Sequence, residues 1–293
     1  MTAGEAASRA GPGVGQEPTV TADGGVRPAA VAGVFYPADP DELRHTVEEL
    51  MRAARRPPST GGWPKAVIAP HAGYVYSGPV AASAYAWLAP ARGTVRRVIL
   101  VGPAHRVPLD TLATSSAGAW TTPLGDVGVD VSGRDALVRL GGVGVDDRAH
   151  RHEHSLEVHL PFIQTVLGNV DILPIAAGSV APEPIADALD QVWGGSETCV
   201  VLSTDLSHYH DHAAATKLDR ATADAILARK PTDVGGDRAC GVFALRGLLV
   251  AAVRHHLDVT LVDLRNSGDT AGRRDRVVGY GSFALSEPQA SPS

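Results

Sequence analysis

Cysteine is scarce in this chain: Cys199 and Cys240 are the only two among 293 residues. Two thiols do not make a disulfide framework, so a reducing, cytoplasmic setting is expected. Aromatic residues make up 5% of the chain, which leaves small and branched aliphatics to build the core. Basic residues are not in excess: 26 Lys and Arg stand against 32 Asp and Glu, a net charge of -6. That balance argues against nucleic acid as a partner. No apolar run is long enough to span a bilayer, and "GVFALRGLLVAAVRHHL" is broken by Arg246. The first residues lack a basic segment followed by an apolar one, so 1–26 reads as a disordered tail and not a signal peptide. Residues 288–293 read the same way.

Familiar signatures are missing as well. There is no G-x-x-x-x-G-K-[ST] loop, no G-x-S-x-G elbow and no paired C-x-x-C. "GGVGVDD" follows a helix-like run, so a dinucleotide site there is not expected. "HRHEHSLEVHLPF" is rich in histidine but is not a zinc-protease motif, because the position four after His152 is Leu156. Glu153 and Glu157 are the pair on one helical face. They are either solvated at a polar helix start or part of a crevice wall in which Glu153 or His154 orients a ligand.

What is present is an alternation. Apolar strand-like runs lie at 66–70, 96–103, 170–178, 198–206, 259–266 and 276–285. Helix-like runs lie at 41–56, 78–89, 132–141, 154–167, 183–193, 213–229 and 241–256, the first with Asp41 as its N-cap. The strand runs are continuous and not alternating, the mark of strands buried on both faces. The pattern predicts one α/β domain over 27–287, with helices on both faces of a largely parallel or mixed sheet.

Polar residues then fall at strand ends. His71 follows 66–70, His105 follows 96–103, Asp205 and His208 follow 198–206, and Asn266 and Asp269 follow 259–265. Carboxyl ends of parallel strands share one edge and form the ligand crevice of such sheets, so these groups are expected to converge. Cys240, in "ACG", immediately precedes an apolar helix whose start favours a thiolate, so it is expected to be reactive in the metal-free protein. Cys199, inside an apolar strand, is expected to be buried and inert.

The segments "AGVFYPAD", "APHAGYVYSGPVAASAY", "VGPAH", "TTPLGDVGVD", "EHSLEVHLPF", "STDLSHYH", "ACG" and "VVGYGSFAL" occur in this order. Together they resemble the Memo family, whose prokaryotic members are called AmmeMemoRadiSam system protein B. The resemblance implies a three-layer α/β/α fold related to LigB-type class III extradiol dioxygenases, which hold iron(II) with two histidines and a carboxylate. It implies that His71, His105 and Cys240 occupy the metal position here. Asp205 and His208 would line the same pocket as candidate catalytic groups, with Tyr74, Glu153 and His154 around it. The implied cofactor is iron(II) or copper, with zinc or no metal as alternatives, since a thiolate softens the site. The implied partners are a small molecule or peptide in the strand-end pocket, with a functional link to a radical-SAM protein and an AMMECR-type protein. The expected function is metal binding with a redox role or a vestigial dioxygenase-type site. Two rivals are an active non-haem iron dioxygenase and a non-enzymatic peptide- or anion-binding module.

Overall fold

The continuous apolar runs become strands buried on both faces of one large sheet. The computed structural model describes residues 24–58 and 62–288. Its strands are β1 (Val26–Arg27), β2 (Ala66–Ala69), β3 (Arg97–Pro103), β4 (Leu112–Thr114), β5 (Ala119–Thr122), β6 (Gly125–Gly128), β7 (Val143–Val145), β8 (Asp171–Ala177), β9 (Thr198–Ser203), β10 (His208–His210), β11 (Asp258–Asn266) and β12 (Val277–Ser286). Its helices are α1 (Pro40–Ala53), α2 (Tyr74–Leu88), α3 (Val131–Leu140), α4 (Arg148–Arg151), α5 (Leu160–Leu167), α6 (Pro182–Gln191), α7 (His212–Leu227) and α8 (Val242–Arg254).

The large sheet is mixed, in the order β10-β12-β2-β9-β3-β8-β4-β7, with β11 also paired to β12. Its centre, β2-β9-β3-β8, is parallel throughout. Antiparallel pairing begins on either side, where β12 meets β2 and β4 meets β8. A small second sheet joins β1, β5 and β6. Alternate residues of the central strands feed two separate cores. Ile68, Val101, Ile175 and Leu202 pack with residues of α3, α6, α7 and α8. Val67, Leu100, Ile172 and Val201 pack with residues of α1, α2 and α5. The result is the three-layer α/β/α arrangement that the sequence implies. Among the described residues, no helix is long and apolar enough to cross a membrane.

Several local expectations shift. The N-cap of α1 is Asp39, which accepts from the N–H groups of Asp41 and Glu42 and has Pro40 as the first helical residue. Val26 belongs to β1 and pairs with Ala119, so order begins before Arg27. The rest of both expected tails lies outside the described residues, apart from Gly24, Gly25 and Pro288. The expected helix over 154–167 is broken into a turn, a 3-10 segment (Glu157–His159) and α5. Glu153 and Glu157 therefore do not share a helix face.

Glu157 is fully buried and does structural work. It accepts from Arg27 Nη1 at 2.7 Å, from Tyr36 Oη at 2.7 Å, and from the N–H groups of Ala30 and Val31. One carboxylate thus pins the whole entry segment 27–36 onto the domain. Truncating one member of a buried ion pair leaves the other charge uncompensated. Glu157→Ala should therefore cost about 3–5 kcal/mol, read as a lower urea midpoint with an unchanged slope. A loss below about 1 kcal/mol would mean that the anchor is dispensable.

Candidate metal centre

The four parallel strands end level with one another. Ala69 of β2 is opposite Ser203 of β9, and Pro103 of β3 is opposite Ala177 of β8. His71 and His105 follow β2 and β3 directly, on either side of the end of β9. The segment 153–156 closes over this edge. Ser155 Oγ donates to Pro103 O at 2.7 Å, and Ser203 Oγ donates to Ser155 O at 2.6 Å. Gly102 makes that approach possible: a Cβ there would meet Leu156 Cδ2 at 2.8 Å and Ser203 Cβ at 2.9 Å. Gly241 does the same for the start of α8, where a Cβ would meet Ser203 O at 2.7 Å.

The segments bring three imidazoles together. The ligating nitrogens of His71, His105 and His154 all lie within 4.8 Å of one another. The His105 and His154 rings stack with centroids 4.8 Å apart, and both meet His71 edge-on. Cys240 Sγ stands 3.3 Å from His71 Nε2. His154 was expected only as a pocket wall and Cys240 as a ligand. The geometry puts His154 inside the imidazole trio and Cys240 on the His71 side of it.

The hydrogen bonds fix the tautomers. The Ser203 hydroxyl has one proton, and it goes to Ser155 O. Its 2.6 Å contact with His71 Nδ1 therefore has the imidazole as donor, leaving the His71 Nε2 lone pair to face the Cys240 thiol at 3.3 Å. His105 Nδ1 lies 2.9 Å from Glu153 Oε1, and a carboxylate can only accept, so His105 donates through Nδ1 and its Nε2 faces away from Glu153. Glu153 also accepts from the backbone N–H groups of His105, His154 and Ser155. Burial alone would raise its carboxyl, but these bonds outweigh burial and hold it well below the usual carboxylate range. His154 Nδ1 lies 3.1 Å from the same Glu153 oxygen, so its partner is that carboxylate although the contact lacks the alignment of a full hydrogen bond. Burial, then the charges of His105, His154 and His159, hold the His71 imidazole far below its ordinary value, in its neutral, ligating form.

The remaining candidates are placed differently. Asp205 is buried, and its Oδ1 accepts from the N–H of His71 at 2.8 Å. Its carboxyl is raised by burial, and it holds the loop of His71 instead of the ring. His208 donates through Nδ1 to Leu206 O at 2.8 Å, and its charge acts on Asp205. Tyr74 lies in the core, where its hydroxyl donates to Val158 O at 2.6 Å and its ring packs against Phe162. Asn266 and Asp269 cap each other in a 3-10 turn, and Asp269 bonds His212. Ser203 and Ser155 went unnoticed in the sequence. The available signal was a serine as the one polar residue in the apolar strand's last position.

A donor set of three close imidazoles, two of them with Nδ1 committed to Ser203 and Glu153, beside a thiol fits a first-row metal ion. A cavity of about 190 Å³ adjoins it, walled by His105, Leu109, Ser179, Cys240 and Phe243.

The family model described as Memo-like protein matches residues 27–284. A MEMO1 family protein of Methanopyrus kandleri is 38% identical over 281 residues, covering 88% of this chain and 98% of that protein. A MEMO1 family protein of Methanothermobacter thermautotrophicus is 36% identical over 273 residues, covering 87% and 98%. One from Aquifex aeolicus is 35% identical over 267 residues, covering 87% and 97%.

Cys240 departs from expectation, whereas Cys199 is buried in β9 as expected. Burial, then the charge of Asp205, push the Cys240 thiol up, and hydrogen bonds from Asp205 N, Thr204 and Gly241 only partly offset them. The helix start does not win, because the site is closed on its other sides. Burial pushes Cys199 up to about 12. A raised thiol is protonated at neutral pH, and its thiolate fraction grows only as pH climbs toward the raised value. In metal-free protein at pH 7, iodoacetamide should therefore label Cys240 slowly, and faster as pH rises. Cys199 should stay unlabelled until unfolding. Peptide mapping that finds Cys240 labelled at neutral pH as fast as a free thiol would contradict this.

Proposed function

The chain belongs to the Memo family, and on that premise we propose that it binds a redox-active first-row metal ion, iron(II) or copper, through His71 and His105. The observation that carries the reading is the pair of committed Nδ1–H groups. Ser203 and Glu153 each accept one, so the Nε2 atoms of neighbouring rings carry the lone pairs, that of His71 facing Cys240 Sγ at 3.3 Å. A metal-binding histidine needs that arrangement, in which the outer partner fixes the ring and raises its basicity. Cys240 is the third ligand in this reading, and His154 the group that faces the bound molecule.

The thiol sets the chemistry apart from a two-histidine, one-carboxylate site. Glu153 is engaged by His105, His154 and Ser155, and Asp205 Oδ1 by the backbone of His71. Sulfur and imidazole together favour copper(I) or a thiolate-bound iron over a hard six-coordinate ion. When bound, the ion supplies one-electron chemistry. The protein's own residues do the rest: the cavity between His105 and Cys240 has room for a small molecule, and Leu109 and Phe243 give it apolar walls. His208, with Nδ1 held by Leu206 O, presents its other nitrogen as a proton carrier near Asp205. A link to a radical-SAM protein and an AMMECR-type protein belongs to the same proposal, as a source or user of the electrons.

Metal analysis after anaerobic purification tests the reading. Wild type should carry about one ion per chain. His71→Ala, His105→Ala and Cys240→Ala should each lose most of it while staying folded, and His154→Ala should keep it. If His154→Ala empties the site and Cys240→Ala does not, the third ligand is nitrogen. If all four variants keep the wild-type content, the metal is elsewhere.

Ser203→Ala removes the acceptor of the His71 Nδ1–H without touching a ligand. It should weaken metal affinity roughly ten- to a hundredfold, measured by competition with a chromophoric chelator. Unchanged affinity would mean that the hydroxyl does not set the ring.

A further inference from the structure

A second cavity lies where the entry segment meets α4. Its volume is about 160 Å³, and its walls include Val26, Arg27, Pro28, Ala117, Asp147 and His150. It shares no wall residue with the cavity beside Cys240. A volume of roughly 150 Å³ is enough to hold one benzene ring.

One group of this wall lacks a partner. His150 is 1% exposed. Its Nε2 lies 3.1 Å from Ala113 O, and a carbonyl can only accept, so Nε2 carries the proton of the neutral ring. Burial, then the charge of Arg27, hold the imidazole down to about 4, so the ring is neutral at pH 7. Nδ1 therefore keeps a lone pair, and it is buried without a hydrogen bond. Trp120 meets the ring at 5.5 Å, but its own Nε1 is unpaired too, so the two do not satisfy each other. Ala113 is not part of the cavity wall, so Nδ1 is the ring nitrogen left to serve the cavity.

The charged groups of the wall are already engaged. Asp147 accepts from Ser115 Oγ, Ser116 Oγ and the N–H of Ser116. Arg27 donates to His150 O, Glu153 O and Glu157, and Arg151 has a partner of its own. A charged ligand would give up its water here without gaining a counter-charge. A single water on Nδ1 would leave the apolar surfaces of Val26, Pro28 and Ala117 uncovered, and a buried water needs two to four polar partners.

We propose that this cavity is a second ligand site, separate from the metal centre, for a small neutral molecule with a one-ring apolar body and one N–H or O–H group donated to His150 Nδ1. The body of the ligand covers Val26, Pro28 and Ala117, and its single donor satisfies the buried lone pair. The proposal does not depend on the metal-binding reading.

The test uses the full chain without metal and pyrrole as the probe, a neutral ring with one N–H. Furan has nearly the same shape and no donor, and pyrrolidine is a cation at pH 7. The protein carries labelled alanine, valine and leucine methyls and is read by nuclear magnetic resonance. Pyrrole should bind saturably, with Overhauser contacts to the methyls of Val26 and Ala117. Furan should bind there roughly five- to tenfold more weakly, and pyrrolidine should give no such contacts. Ala117→Leu should abolish the contacts while the other methyl signals keep their positions. If that variant does not fold, the comparison of pyrrole with furan in wild type decides alone. Furan bound as tightly as pyrrole overturns the proposal, as does pyrrolidine bound more tightly than pyrrole. Contacts to Leu109 and Ala244 in place of Val26 and Ala117 would put the probe beside Cys240 and overturn it likewise. Absence of saturable pyrrole binding leaves the cavity to water and ends the proposal.

Discussion

The site depends on one hydroxyl. Ser203 closes β9, the strand between β2 and β3 in the sheet, and its side chain touches all three neighbouring segments. It accepts from His71, donates to Ser155 O, and through Ser155 is tied to Pro103. A hydroxyl has one proton to give, so the direction of each bond follows from the others. The tautomer of His71, the closure of the 153–156 segment and the position of His105 are therefore set together. Gly102 and Gly241 matter because a methyl at either position would push away the neighbours on which this chain of bonds relies.

Two glutamates four residues apart divide the polar work of the same segment. Glu157 satisfies the entry segment from Arg27 to Tyr36 and is remote from the imidazoles in its bonding. Glu153 faces the other way and takes the Nδ1–H of His105. Both are buried carboxylates with several donors each, the condition under which such a charge is tolerated. A break in the helix between them lets one serve the fold and the other the site.

The two cysteines illustrate how tertiary closure overrides a local rule. A helix start favours a thiolate when the sulfur can also see water or a cation. Cys240 instead sits under His71 and beside Asp205, with only a small cavity next to it. A neutral thiol is the stable form there, and a metal ion would supply the positive charge that the helix start does not.

The sequence by itself determined the layers and the edge. Continuous apolar runs at 66–70, 96–103, 170–178 and 198–206 can only be strands covered on both faces, and the residues after them must meet at one end if the strands are parallel. It also supplied the family, because eight ordered segments span the domain. It did not determine what the helix-like stretch over 154–167 would do, since its local pattern suits a helix and only packing against β3 and β9 breaks it. His154 enters the imidazole trio, Tyr74 leaves for the core, and Asp205 turns to a backbone N–H for the same reason. Each outcome depends on which way a short loop faces after the strands are aligned. Those directions are set by contacts between residues 48 to 134 positions apart, and no local periodicity encodes them.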